Sequence, residues 1–207
     1  MSVTDITLRR MSVTVITRLD GMGRWQPEPQ RRLREAAMAL YAERGLEQTT
    51  AAEIAALAGV TERTFFRYFA DKREVLFSGT EALLAAGLAA VHAAPAQTPA
   101  IDVVAAGLEA AAATLPDQEY ARARQAVITA NPGLQERELL KMSTLSASIA
   151  EALVERGEAP HLAALVASLG VSAFGVSFER WASGAEGGDY ADALRASFAQ
   201  LKAAVAG

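Results

Sequence analysis

The sequence predicts an all-α protein, and three observations predict it. Ala is abundant while only seven of the 207 residues are Pro, a balance that favours helix. Past residue 20 no stretch alternates apolar and polar side chains as a half-buried strand does. Apolar residues recur instead at steps of three and four, in segments parted by Gly, Pro or Asn. The expected architecture is an N-terminal three-helix helix-turn-helix unit (30–76), joined by a fourth helix to a larger helical domain (77–207). An apolar content of 51% is ample for a buried core.

Residues 1–29 read as a flexible N-terminal extension. They carry a short repeat, MSVTDIT at 1–7 and MSVTVIT at 11–17, then a linker from Gly21 to Pro29. Its β-branched residues suit a hairpin, but an isolated ribbon is marginal, so disorder is expected unless it docks. Arg24, Arg31 and Arg32 are placed to reach phosphates or a minor groove. From Gln30 to Arg44, Leu33, Ala37, Leu40 and Tyr41 form one apolar stripe, and Gly45 is a C-cap.

Thr50 with Glu53 is a capping box, and Ile54, Leu57 and Ala58 give the helix it opens an apolar stripe. Ala58-Gly59-Val60 is a turn in which Gly59 takes φ > 0 without penalty. Thr61 then N-caps a second short helix ending near Phe69, with Phe65 and Phe69 directed inward. Glu62, Arg63, Phe66, Arg67 and Tyr68 are left facing outward. This is a helix-turn-helix whose second helix is presented to something. Asp71 caps a fourth helix running from Lys72 to about His92, with Val75, Leu76 and Leu83 inward.

Beyond it, helices are expected from Pro99 to near Leu115, from Asp117 to about Thr129, and from Leu134 to Arg156. The last places Leu139, Met142, Leu145, Ile149 and Leu153 on one stripe. His161–Ser183 is apolar nearly all round. Asp189 caps a final helix with a seam of Leu194, Phe198 and Leu201. From two chains, the last two helices can form a four-helix interface through Leu165, Leu169, Leu194, Phe198 and Leu201. Two uncharged stretches approach the length of a membrane span. Residues 82–101 are broken by Pro95 and Pro99, and 162–178 sits at the lower length limit with three Ser and two Gly. Burial against a partner chain is the better account of the second, and no membrane is expected.

The net charge is −4, but residues 1–74 are net +2 and 75–207 net −6, so the positive field lies with the helix-turn-helix. The chain has no Cys and two His, which argues against a disulfide framework, a thiol nucleophile or a dedicated metal site. No Gly-x-Ser-x-Gly, His-Glu-x-x-His or phosphate loop is present, which weighs against an enzyme. A helical carrier with a vestigial helix-turn-helix is the other alternative. Both rivals predict no DNA binding. Residues 1–20 lead into no apolar secretory core, so the expected compartment is the cytoplasm.

The stretch AAMALYAERGLEQTTAAEIAALAGVTERTFFRYFADKREVLF, within Arg31 to about Phe77, resembles the N-terminal domain of the TetR family of bacterial transcriptional regulators. An apolar helix, Gly, Thr-Thr, Ile-Ala-x-x-Ala-Gly-Val, Thr-x-x-Thr, two aromatics, Tyr-Phe and Lys occur in the family's order and spacing. ERTFFRYF, with TANPGLQER downstream, is most similar to the actinobacterial branch that includes regulators of the mycofactocin type. The remaining residues match only in helical layout.

The resemblance implies a homodimer through the last two helices, nine or ten helices in all, and a C-terminal cavity for a small-molecule effector. Binding there would alter the separation of the two recognition helices. The implied partners are double-stranded operator DNA, a second copy and that effector, with no cofactor. Release of a repressor is the leading expectation; an activator or a ligand-independent regulator is the alternative.

Arg63 and Thr64 lie where such a helix meets base edges, and Arg63 can bind guanine as a bidentate donor. Thr49, Thr61, Tyr68 and Lys72 match family positions that hold phosphates; Thr50 and Arg67 join them. Phe66 stands where the family commonly has Tyr. It either packs on sugars or a thymine methyl, or turns inward with Phe65. Tyr120, Arg124, Phe174, Phe178 and Trp181 are the candidate pocket lining, although aromatics at helical spacing also serve a core. Arg122 and Arg124, two apart, diverge and cannot clamp one anion unaided.

Overall fold

The computed structural model describes residues 28–185 and 188–206. The N-terminal repeat, Arg24 and the start of the linker lie outside the described residues. Nine α-helices are described: α1 (Pro29–Arg44), α2 (Ala51–Leu57), α3 (Glu62–Tyr68), α4 (Thr80–Ala93), α5 (Ala100–Ala112), α6 (Gln118–Thr129), α7 (Pro132–Glu155), α8 (Pro160–Ala182) and α9 (Tyr190–Ala206). There is no strand among the described residues.

Local chemistry sets most of the boundaries. Pro opens α1, α7 and α8, where its missing N–H costs nothing. At α2 the Thr50 N–H donates to Glu53 Oε2 at 2.9 Å, while the Glu53 N–H donates to Thr50 Oγ1 at 3.2 Å. Asp117 and Asp189 accept the N–H groups of Tyr120 and Asp192 at 2.9 and 2.7 Å. Gly45 and Gly59 end α1 and α2 at φ +83° and +66°, the left-handed region where a Cβ is penalised.

The expected fourth helix from Lys72 is broken in two. Asp71 caps only one 3-10 turn, Glu74–Phe77, and α4 starts afresh at Thr80. Ser78 is extended and Gly79 has φ +99°. The Ser78 and Thr80 hydroxyls donate to Val75 O and Phe77 O at 2.8 and 2.7 Å, taking carbonyls that a continuous helix would satisfy with its own N–H groups.

Two cores result. The first joins Leu33, Ile54, Phe65 and Leu76 of the N-terminal unit, and it is closed by Ile128 of α6 and Leu134 of α7. The second is built from α4 to α9, with α6 contributing Ala121. There α4 crosses α5 through facing glycines: a Cβ on Gly107 would lie 2.7 Å from Val91 Cγ2 and 3.1 Å from Gly87 O. The C-terminus of α4 is held by Arg156, whose guanidinium donates to Val91 O, Ala94 O and Pro95 O at 2.8 to 3.1 Å.

Burial corrects several expected faces. Leu57 is exposed, and the inward stripe of α7 does not include Leu139, also exposed. Leu194 and Phe198 are buried in the protomer's own core and have no free face for a partner; Leu201 is half-buried. The exposed apolar seam lies instead on α8, where Leu162, Leu165, Leu169 and Val176 follow one another at helical spacing. Two described stretches, Glu74–Ala93 and Pro160–Ala182, are apolar and long enough to cross a membrane by length and composition, and the first is interrupted at Ser78–Gly79.

The glycine crossing gives a test. Gly107→Ala forces stiff Val91 and backbone atoms apart and should lower the unfolding free energy by about 1–2 kcal/mol. Gly175 has open space around it, so Gly175→Ala in mid-α8 should be neutral or stabilising. Urea unfolding midpoints of the two variants separate close packing from helix propensity.

Candidate nucleic-acid interface and cavity

The presented helix is α3. The Thr64 N–H donates to Thr61 Oγ1 at 3.1 Å, and the two hydroxyls lie 2.9 Å apart, which fixes its first turn. Phe65 and Phe69 anchor it from below with ring centroids 5.6 Å apart. Glu62, Arg63, Phe66, Arg67 and Tyr68 remain exposed. Of the two readings of Phe66, the outward one holds: it is 52% exposed and edge-on to Phe65. The Arg67 guanidinium sits 4.9 Å from the Tyr68 ring centroid and donates to Tyr68 Oη at 3.3 Å, so the pair is already oriented. The exposed side chains of α3 thus offer cations, hydroxyls and an apolar ring on a helix rooted in the core.

Thr49 and Lys72 stand apart from that surface. Thr49 is fully buried, and its hydroxyl donates to Gly45 O at 2.9 Å. The Lys72 ammonium donates to Leu46 O, Glu47 O and Thr49 O at 2.9, 3.2 and 2.9 Å. Its three protons are committed, so Lys72 holds the 46–49 loop rather than presenting a charge. In turn Tyr41 Oη donates to Lys72 O at 2.5 Å, and burial pushes the Tyr41 phenol well above its usual pKa. Thr50 is exposed but spends its hydroxyl on Glu53 at 2.7 Å. Hydrogen bonds from the Thr50 hydroxyl and N–H, then the charge of Arg44, hold the Glu53 carboxyl below its usual range.

The segment that follows α3 is tied to the C-terminal domain. Asp71 Oδ1 accepts the N–H groups of Arg73 and Glu74 at 2.6 and 2.9 Å. Arg137 of α7 meets Asp71 Oδ2 at 3.3 Å and Glu74 Oε1 at 2.8 Å. Partial burial opposes ionisation of Asp71, but those N–H groups and the Arg137 guanidinium outweigh it, so its pKa is lowered. Two cations, Arg124 and Lys141, lie 5.3 and 5.2 Å from the Phe77 ring centroid.

A cavity of about 490 Å³ opens beside this junction. Of the candidate pocket residues, Tyr120, Arg124, Phe174 and Phe178 line it. Trp181 does not. It packs behind the wall against Tyr190 at 5.4 Å and donates through Nε1 to Gly188 O at 3.2 Å. Arg122 and Arg124 diverge as their spacing implies: Arg122 Nε donates to Ala182 O at 3.0 Å, whereas Arg124 donates to Leu76 O at 2.7 Å and Glu138 at 2.8 Å. Arg34, Phe77, Leu139 and Met142 also line the cavity. Sequence periodicity carries no signal for Arg34, on α1, or for Phe77, which is buried in the N-terminal core.

The reassignment of Lys72 is directly testable. Lys72→Met leaves three carbonyls without their shared donor and should cost about 1.5–3 kcal/mol of stability. A phosphate-binding lysine would leave the unfolding midpoint within about 0.5 kcal/mol of wild type.

Two family profiles match the chain: bacterial regulatory proteins of the tetR family over residues 33–78, and the MftR C-terminal domain over residues 97–206. A curated relative, the HTH-type transcriptional regulator TcmR of Streptomyces glaucescens, is 43% identical over 60 residues, 29% of this chain. The match spans only 26% of that protein's length. Among solved structures, Thermus thermophilus FadR, a TetR-family repressor in complex with lauroyl-CoA, is 27% identical with a TM-score of 0.50, covering 83% of this chain and 92% of its own. A TetR-family regulator from Mesorhizobium loti is 25% identical with a TM-score of 0.51, over 86% and 95%. The fatty acid degradation regulator FadR of Bacillus halodurans shares the fold at 18% identity and a TM-score of 0.52, over 86% and 96%. The outward helix α3 on its buried aromatic anchors lies within the matched residues 33–78, and the chain belongs to the TetR family of bacterial regulatory proteins, with a C-terminal domain of the MftR type, as a DNA-binding transcriptional regulator.

Proposed function

We propose that the protein is a homodimeric, cytoplasmic repressor that leaves its operator when a small apolar or amphipathic ligand fills the cavity. The observation carrying this reading is the shared wall. Leu76 and Phe77, a few residues after the recognition helix, line the same cavity as Tyr120, Met142 and Phe178 of the C-terminal domain. Its volume falls within the range of small-molecule sites. The lauroyl-CoA in Thermus thermophilus FadR makes that compound a rational first probe.

In the dimer, the exposed leucines of α8 pack about a two-fold axis, with the small outward residues Ala196, Ala199 and Ala203 of α9 beside them. On α3, Arg63 and Thr64 read base edges, while Thr61, Arg67 and Tyr68 hold phosphates. Phe66 meets sugars or a thymine methyl.

An anisotropy titration with duplex from the gene's own upstream region should show specific binding that weakens steeply with salt. Arg63→Ala should relax preference at one base pair by about 1–3 kcal/mol. Affinity no better than for random duplex rejects the reading, and a reporter on that promoter must rise when the gene is deleted. The interface has its own measurement: Leu165→Glu should shift the sedimenting species from dimer to monomer and abolish tight operator binding, whereas an unaltered mass places the dimer elsewhere.

A further inference from the structure

The loop that fixes the end of the recognition helix is held by charges from the other domain. Asp71 lies three residues beyond Tyr68, the last residue of α3. Its Oδ1 caps the 3-10 turn, and its Oδ2 faces Arg137 at 3.3 to 3.4 Å. The same guanidinium reaches Glu74 Oε1 at 2.8 Å, and one helical turn further along α7 Lys141 reaches Glu74 Oε2 at 3.4 Å. All four side chains are 28–41% exposed, so the cluster is neither free surface nor a fully desolvated pair. Two neighbouring cations are engaged elsewhere: Arg73 with Glu47 at 3.2 Å and Arg124 with Glu138 at 2.8 Å.

Two features turn this from a surface pair into a joint. Leu134, one turn before Arg137, is buried in the N-terminal core together with Ile128, so α7 is rooted in the unit that carries α3. Lys141 lines the cavity and lies against the Phe77 ring, so the same helix that clasps the loop forms the wall a ligand would touch.

We propose that Arg137 and Lys141 are positioning residues for DNA recognition: through Asp71 and Glu74 they set the orientation of the recognition helix and transmit to it the position of the cavity wall. This rests on the DNA-binding, ligand-responsive reading above. Neither residue touches DNA. They act by holding the Asp71–Phe77 segment, and through it the Lys72 staple, in one place.

The test uses the full-length protein and two readouts. In hydrogen exchange, Arg137→Glu should raise the exchange of amides 62–73 by ~3–10-fold, leave those of α5 and α8 unaltered, and weaken upstream-region duplex binding by the same order. Arg137→Lys, which keeps a positive charge facing Asp71 and Glu74, should leave both readouts close to wild type. Arg137→Gln, which removes the charge without repulsion, should give a smaller change in the same direction and serves if Arg137→Glu does not fold. Wild-type exchange in Arg137→Glu and Arg137→Gln, or Arg137→Lys no better than Arg137→Glu, overturns the proposal. Should wild type show no specific DNA binding, the regulator reading fails, while the exchange arm still decides whether the clasp orders α3.

Discussion

The geometry of the N-terminal unit is referred to the ammonium of Lys72. A single positive charge collects three carbonyls from the 46–49 loop, and the lysine's own carbonyl receives Tyr41 from α1. The loop before α2, the segment after α3 and the long helix beneath them are thereby set against one another. The short helices need this. With seven residues each, α2 and α3 are too brief to be stable alone, and their caps and buried aromatics hold them only if the loops at either end keep their place. Charge-assisted bonds in a half-buried site are stronger than neutral ones, which suits a lysine to this position better than any uncharged donor.

What was legible in the sequence is local. Caps made of side chain and backbone within three or four residues, such as Thr50 with Glu53 or Asp117 with Tyr120, can be read off spacing because geometry leaves them few alternatives. The outward set on α3 was legible for the same reason, since Phe65 and Phe69 define an inside. Lys72 was not. Its acceptors are backbone carbonyls 23 to 26 residues away, and a carbonyl has no sequence signature. Ser78-Gly79 did carry a break signal, but the apolar residues on both sides suggested one continuous helix.

Leu194 and Phe198 show a different limit. Periodicity identifies an apolar face without saying which apolar surface it meets. The last helix has one such face, and the protomer's own core takes it. The penultimate helix is apolar nearly all round, so one side fills that core and Leu162, Leu165 and Leu169 are left over. Trp181 was displaced by similar competition: Phe174 and Phe178 face the cavity, while the indole closes an aromatic cluster with Tyr190 behind them.

The facing glycines of α4 and α5 also have a mechanical meaning. With backbones this close at Gly87 and Gly107, and with Arg156 bonded to the carbonyls at the helix end, α4 is pinned from the crossing to its C-terminus and displacement is left to its N-terminal end. Gly79, the left-handed joint at its other end, is about 12 Å from that fulcrum at 1.5 Å per residue. A rotation of roughly 10° therefore carries the joint ~2 Å, the difference between a hydrogen bond made and one lost. In the ligand-responsive reading proposed above, the helix is a short lever whose N-terminal end sits in the cavity wall, so that a change in what presses on that wall reaches the base of the DNA-reading unit as a displacement of that size.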